Sequence, residues 1–196
     1  MSKLTDIQTL LGVTPDGIWG PRSQAALDGL IHPAATEEPI PSLAGLQHND
    51  WPREADAQAF FGYPPNLTQV DLPFPMHLFS ADGELTHRIS CNPKVAASLR
   101  RIFAAILAHY GSPETIHATG VDIFDGVYND RNVRGANHKS MHAFGAAIDI
   151  DAEHNPLGAT SGRMPSAVVE IFKAEGWRWG GDYTGRKDWM HFEACV

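Results

Sequence analysis

The feature that most constrains this chain is a pair of short stretches toward its C-terminal end, Ser140-Met141-His142-Ala143-Phe144-Gly145-Ala146-Ala147-Ile148-Asp149 and Asp188-Trp189-Met190-His191-Phe192-Glu193. His142, Asp149 and His191 are the residue types that converge on a catalytic Zn²⁺, which takes about three protein ligands and keeps one position open for water. Gly145 lets the backbone turn between His142 and the apolar run that follows, and the apolar neighbours in AAIDI hold Asp149 in a rigid place. On a strand His191 and Glu193 share a face, so Glu193 is expected to back His191 from behind. Asp188 precedes that ligand closely enough to reach the reacting water without occupying the metal, the position of a general base. Asp151 shares a strand face with Asp149 and is a rival ligand. His109, His117, His138 and His154 have no such support and read as surface or loop residues.

Composition narrows the class. Over 196 residues the chain is 43% hydrophobic and 19% charged, which fits a folded protein with room for one catalytic domain and a small module. A formal net charge of -8 with no long Lys/Arg run argues against nucleic acid as a partner. The opening MSKLTDIQTLLGV has no apolar stretch suited to a signal peptide, and no later segment reaches the roughly 18 apolar residues of a membrane span. Synthesis in a cytoplasm without a signal peptide is therefore expected. Cys91 and Cys195 stand far apart without C-x-x-C spacing, so they form neither a zinc knuckle nor a redox motif and are either free or paired.

Residues 4–31 predict two short helices around a tight turn. Leu4, Ile7, Leu10 and Leu11 fall at helical spacing, Pro15-Asp16-Gly17 breaks the pattern, Pro21 suits a helix first turn, and Ala25, Ala26, Leu27 and Leu30 supply a buried stripe. The run from Gln8 to Gly12, followed by Asp16 to Pro21, resembles one repeat of the peptidoglycan-binding domain found on many wall hydrolases. A helical hairpin that only packs on the next domain is the alternative. Residues 32–50, with Pro33, Pro39 and Pro41, have the composition of a linker, and the catalytic domain is placed at 51–196.

Beyond that boundary the expected order is a Pro-rich irregular stretch over residues 60–79, a hairpin around Ala81-Asp82-Gly83, and a helix from about Pro93 to Tyr110, capped by Asn92 and stopped by Gly111. Then come a loop over 120–140, a strand over 146–151, a helix near Pro165 to Glu175 and the terminal DWMHFEA. Short helices mixed with strands imply an α+β domain built on a small antiparallel sheet with flanking helices. Trp177, Trp179 and Trp189 read as core or cleft wall.

The pattern S-x-H-x-x-G-x-A-x-D followed by D-x-x-H-F-E resembles the M15 family of zinc D-Ala-D-Ala peptidases and L-alanyl-D-glutamate endopeptidases, many of them phage endolysins, with a fold related to hedgehog-like DD-peptidases. The resemblance implies zinc as cofactor, Asp188 in the family's acidic position as base, and an arginine that holds the scissile carbonyl. Two arginines stand upstream, Arg131 and Arg134, and the family's tyrosine-asparagine-x-arginine arrangement favours Arg131. Ser140 and Arg134 are expected to touch substrate, and cleft loops at 61–80 and 120–140 to select the bond. The expected activity is hydrolysis of an amide in the stem peptide of bacterial peptidoglycan by a monomer that acts on the cell wall, as an endolysin-like endopeptidase or a D,D-carboxypeptidase. The alternative is a non-catalytic wall-binding or phage structural module with a structural zinc site.

Overall fold

The computed structural model describes residues 3–20, 23, 24, 26, 27, 43–79 and 84–196. By contacts the chain divides into two compact units, Met1–Pro39 and Ile40–Val196.

The first unit opens with helix α1, Lys3–Leu10. Its organising side chain is Gln8, which is buried. The Gln8 amide nitrogen lies 2.8 Å from Asp16 Oδ1, 3.0 Å from the Ile18 carbonyl and 3.1 Å from Ser23 Oγ, while its oxygen accepts from the Gly17 N–H at 2.9 Å. One buried amide thus links the Q-x-x-L-G half of the motif to the D-G-I half, satisfying polar groups that would otherwise be costly in so small a core. Ile7 and Leu10 are exposed rather than stripe-forming, and Ala26 and Leu27 are half-buried. Pro21, Ala25 and Leu30 lie outside the described residues.

The second unit is α+β, with helices flanking a six-stranded sheet whose strands, β1 (Thr68–Leu78), β2 (Leu85–Cys91), β3 (Ile123–Gly126), β4 (Ala147–Ile150), β5 (Arg178–Trp179) and β6 (His191–Glu193), lie in the order β2-β1-β3-β4-β6-β5. Helix α2, Ala57–Phe61, leads into strand β1, Thr68–Leu78, which runs through the stretch expected to be irregular. Pro73 and Pro75 mislead a sequence reading because they cannot donate to a ladder; here the register of β1 against β2, Leu85–Cys91, shifts between Asp71 and Met76, so the prolines fall in an irregularity. Ala81, Asp82 and Gly83, the expected turn, lie outside the described residues.

Helix α3, Pro93–Tyr110, matches its sequence signals: the Asn92 side chain accepts from the Lys94 N–H, and Gly111 ends the helix in the left-handed region at φ 80°. Its buried stripe, Val95, Leu99, Ile102, Phe103 and Ile106, packs against β1. Helix α4, Pro113–His117, is capped by Ser112 and leads to strand β3, Ile123–Gly126, inside the region expected to be a loop. β3 pairs parallel with β1 and antiparallel with β4, Ala147–Ile150, so the sheet is mixed rather than wholly antiparallel. Helix α5, Ser166–Ala174, places Phe172 in a stack 4.0 Å from Phe192 of β6, His191–Glu193, and β5, Arg178–Trp179, closes the edge.

The carboxylate of fully buried Glu175 ties this unit together: it receives Arg101 Nε at 2.7 Å and Nη2 at 2.8 Å, the Gln47 N–H at 2.8 Å and Asn49 Nδ2 at 2.8 Å. Gln47 and Asn49, from the end of the stretch expected as linker, are thereby hydrogen-bonded to the turn after α5. Cys91 and Cys195 are both buried and free, and burial pushes the Cys91 thiol up to about 11. Among the described residues no helix is long and apolar enough to cross a membrane.

Candidate metal centre

Sheet register brings the two motifs together. β4 and β6 pair antiparallel with Asp149 directly opposite His191. His142 arrives from outside the sheet, on a single 3-10 turn, Met141–Phe144. Ser140 caps that turn by accepting from the His142 N–H, and Gly145 ends it at φ 63°. A Cβ on Gly145 would lie 2.7 Å from Leu67 Cδ2 and 3.0 Å from the Asn92 backbone nitrogen, so glycine is required there by both conformation and space. Asn92 anchors the turn to the start of α3: its N–H donates to the Gly145 carbonyl at 2.8 Å and its side-chain amide to the Phe144 carbonyl at 3.0 Å.

The donor atoms lie close together. His142 Nε2 is 3.1 Å from His191 Nδ1, His191 Nδ1 is 2.8 Å from Asp149 Oδ1, and His142 Nε2 is 3.1 Å from Asp149 Oδ2. A tetrahedral ion with ligands at 2.0–2.1 Å separates its donors by about 3.3 Å, and the two ring nitrogens and the Asp149 carboxylate lie close enough together to share such an ion. The outer ring nitrogens are committed elsewhere: His142 Nδ1 lies 2.7 Å from the Val127 carbonyl oxygen and His191 Nε2 lies 3.3 Å from Glu193 Oε2. A carbonyl accepts only from N–H, so His142 holds its proton on Nδ1 and turns the Nε2 lone pair inward.

The electrostatics of the donor set are tightly coupled. Burial alone would raise the Asp149 carboxyl, but the adjoining His142 and His191 imidazoles hold it well below the usual carboxylate range. Burial disfavours a charged His191, yet its bonds to Asp149 and Glu193 and their charges raise its pKa. Arg178 pairs with Glu193, which leaves the Asp149 carboxylate to be compensated by the two imidazoles. A divalent ion would supply positive charge there and leave both imidazoles neutral, so the donor set fits zinc.

The centre opens on a cleft of about 1110 Å³ whose lining includes Arg131, Arg134, Ser140, Asp149, Asp188 and His191. Asp188 is held by its backbone, its N–H donating to the Gly180 carbonyl at 3.0 Å and its carbonyl accepting from the His191 N–H at 3.2 Å. Its Oδ1 is buried and has no hydrogen-bond partner among the described residues. Burial raises the Asp188 carboxyl, and the nearby Asp149 charge adds to that, while His191, His142 and Arg131 pull the other way. Arg131 is thus within electrostatic reach of Asp188, and it is half-buried where Arg134 is exposed.

A family model described as D-alanyl-D-alanine carboxypeptidase matches residues 134–194. The match supports an M15 family peptidase. It spans His142, Asp149, Asp188, His191 and Glu193, while Arg131 lies just before it. Comparison with solved structures finds no match.

Asp151, the rival ligand, turns away to His154 Nδ1 at 2.8 Å and Asn155 Nδ2 at 3.1 Å. Of the two loops expected to shape the cleft, residues of 120–140 line it, but no described residue of 61–80 does; residues 182–186 take that place. Trp177, Trp179 and Trp189 are outside the lining, their ring nitrogens donating to Ser98 Oγ and to the carbonyls of Trp189 and Ala159.

Sequence reading missed the group behind Glu193. Arg178 Nε donates to Glu193 Oε1 at 2.8 Å, the Tyr183 hydroxyl bonds the same oxygen, and Arg178 reaches Glu54 Oε2 at 3.3 Å. Burial pushes the Glu193 carboxyl up, but His191, Arg178 and Tyr183 together hold it at about 2. The alternation of Arg178 and Trp179 before the D-x-x-H-F-E run was the available signal; Glu54 offered none, because only folding brings it near.

Proposed function

We propose that this chain is a zinc-dependent peptidase that hydrolyses an amide bond in the stem peptide of bacterial peptidoglycan. The observation that carries the reading is the convergence of His142 Nε2, His191 Nδ1 and the Asp149 carboxylate beside the unpartnered Oδ1 of Asp188, inside the matched region. His142, Asp149 and His191 would hold the zinc, which would supply Lewis acidity toward a carbonyl and acidify water. Asp188 takes the proton from the attacking water and delivers it to the leaving amine as the amide C–N bond breaks. Its raised pKa suits the first of these roles, because a carboxylate with weakened acidity is the better proton acceptor. Arg131 faces the developing oxyanion, supported by its electrostatic reach to Asp188, and Arg134 at the cleft mouth binds the acidic stem peptide. Ser140 acts chiefly through the turn that carries His142.

The family description favours a D,D-carboxypeptidase, while the resemblance of the two motifs and of the Gln8–Gly12 and Asp16–Pro21 runs supports an endolysin-type enzyme with a hedgehog-like peptidase fold and a wall-binding segment at residues 1–31. Digestion of purified peptidoglycan with mass spectrometry of the fragments tests the reading. Release of terminal D-alanine assigns a carboxypeptidase, and a cut between L-alanine and D-glutamate assigns an endopeptidase. Intact wall with zinc bound at this centre supports the structural-zinc alternative instead.

A further inference from the structure

A second cluster of metal-binding side chains stands apart from the cleft. His77, near the end of β1, and His117, the last residue of α4, both direct Nδ1 at one oxygen of Asp122, at 2.8 Å and 2.9 Å from Oδ2. None of the three lines the cleft.

The backbone builds this arrangement. The His77 N–H donates to the Asp122 carbonyl at 2.7 Å, fixing β1 against the residue that precedes β3. The chain from His117 to Asp122 folds back through Gly120 at φ 78°, whose N–H donates to the His117 carbonyl at 3.1 Å. The imidazoles therefore meet over the carboxylate with ring centroids 4.6 Å apart.

Hydrogen bonding alone leaves the cluster unbalanced. Asp122 is buried, its second oxygen Oδ1 is buried without a partner, and no Lys or Arg among the described residues pairs with it. Two donors crowd one oxygen while the other has none, which leaves a buried carboxylate short of compensation. The spacing resembles that of the candidate catalytic centre, where the corresponding donors are 2.8–3.1 Å apart. There the outer ring nitrogens are held by Val127 and Glu193; here the His77 and His117 side chains are 33% and 59% exposed, so their outer nitrogens face solvent.

We propose that His77, His117 and Asp122 form a second divalent-cation site, open to solvent, that clamps β1 to the α4–β3 connection. Two imidazoles and one carboxylate suit a first-row ion such as Zn²⁺, with water completing the coordination. Without packed partners behind its histidines the site binds more weakly than the catalytic centre.

The test is zinc stoichiometry by equilibrium dialysis and metal analysis on the untagged full chain, for the parent, His77→Ala/His117→Ala, and His117→Ala alone. Both variants are expected to bind one zinc fewer than the parent at saturating Zn²⁺ and to lose part of the Zn²⁺-induced rise in Tm. His117→Ala, an exposed change, carries the test by itself if the double variant does not fold. The difference between parent and variant does not depend on how many ions the catalytic centre holds, which His142→Ala reports separately. Equal stoichiometry in the parent and His117→Ala overturns the site and leaves the cluster as a hydrogen-bonded carboxylate.

Discussion

His191 Nε2 lies 3.3 Å from Glu193 Oε2, so the candidate ligand is backed by a carboxylate two residues along the same strand face. In the proposed zinc site Glu193 would orient the ring and strengthen Nδ1 as a donor to the metal. Glu193→Ala is expected to weaken zinc binding by roughly 10- to 100-fold. Competition with a chelator of known affinity measures it, and unchanged affinity removes Glu193 from this role.

Holding the metal and using it are separable. His142→Ala, Asp149→Ala and His191→Ala are each expected to lose the zinc of this centre and activity together. Asp188→Ala and Asp188→Asn keep zinc and slow hydrolysis by about 10²- to 10⁴-fold, the usual contribution of a positioned general base. Loss of zinc in Asp188→Ala would recast that residue as a ligand.

Arg131 and Arg134 differ in burial and in reach to Asp188. Arg131→Ala is expected to lower kcat by about 10²- to 10³-fold, as loss of one oxyanion donor does. Arg134→Ala raises KM and changes kcat far less. The reverse pattern in steady-state kinetics on a soluble stem peptide assigns the oxyanion role to Arg134.

Glu175→Ala strips a buried partner from Arg101, Gln47 and Asn49 and is expected to cost about 2–4 kcal/mol by denaturant unfolding. Burial raises the Glu175 carboxyl, but Arg101 and the hydrogen bonds from Gln47, Ser98 and Asn49 win and lower it. A depressed carboxylate contributes stability above its unfolded pKa and loses it as pH falls through the folded value. Parent and variant should therefore converge in stability under acid.

Asp125 moves the other way. Burial, with help from the charges of Asp149, Asp151 and Glu153, pushes its carboxyl up to about 6 despite a hydrogen bond from the Ala152 N–H. A raised carboxyl favours folding while protonated, and that contribution is lost as pH rises through about 6. In metal-stripped protein, Asp125→Asn should raise Tm at pH near 8 and match the parent below pH about 4. A gain that persists in acid would assign the effect to packing.

Local chemistry made much of this protein readable in one dimension. Asn92, the apolar period of α3 and Gly111 act within a few residues of one another, so the helix is legible from spacing alone. His142, Gly145, Asp149 and Asp188 through Glu193 were legible because their residue types and spacing express chemistry directly. Strand β1 was hidden by Pro73 and Pro75, and only the bulged pairing with β2 shows how a strand accommodates them. β3 is four residues containing aspartate and glycine, with a burial pattern that does not alternate, so nothing local marks it.

Strand parity by itself leaves Asp151 a rival to Asp149, and the pairing of β4 with β6 is what sets Asp149 opposite His191. The same holds for Glu54 and Arg178 behind Glu193, and for His77 meeting His117 over Asp122. The sequence by itself determined which side chains were chemically able to hold a cation or move a proton. Which of them meet is decided by strand register and by the turns at Gly120 and Gly145, because contacts between residues far apart in sequence exist only once the sheet has paired.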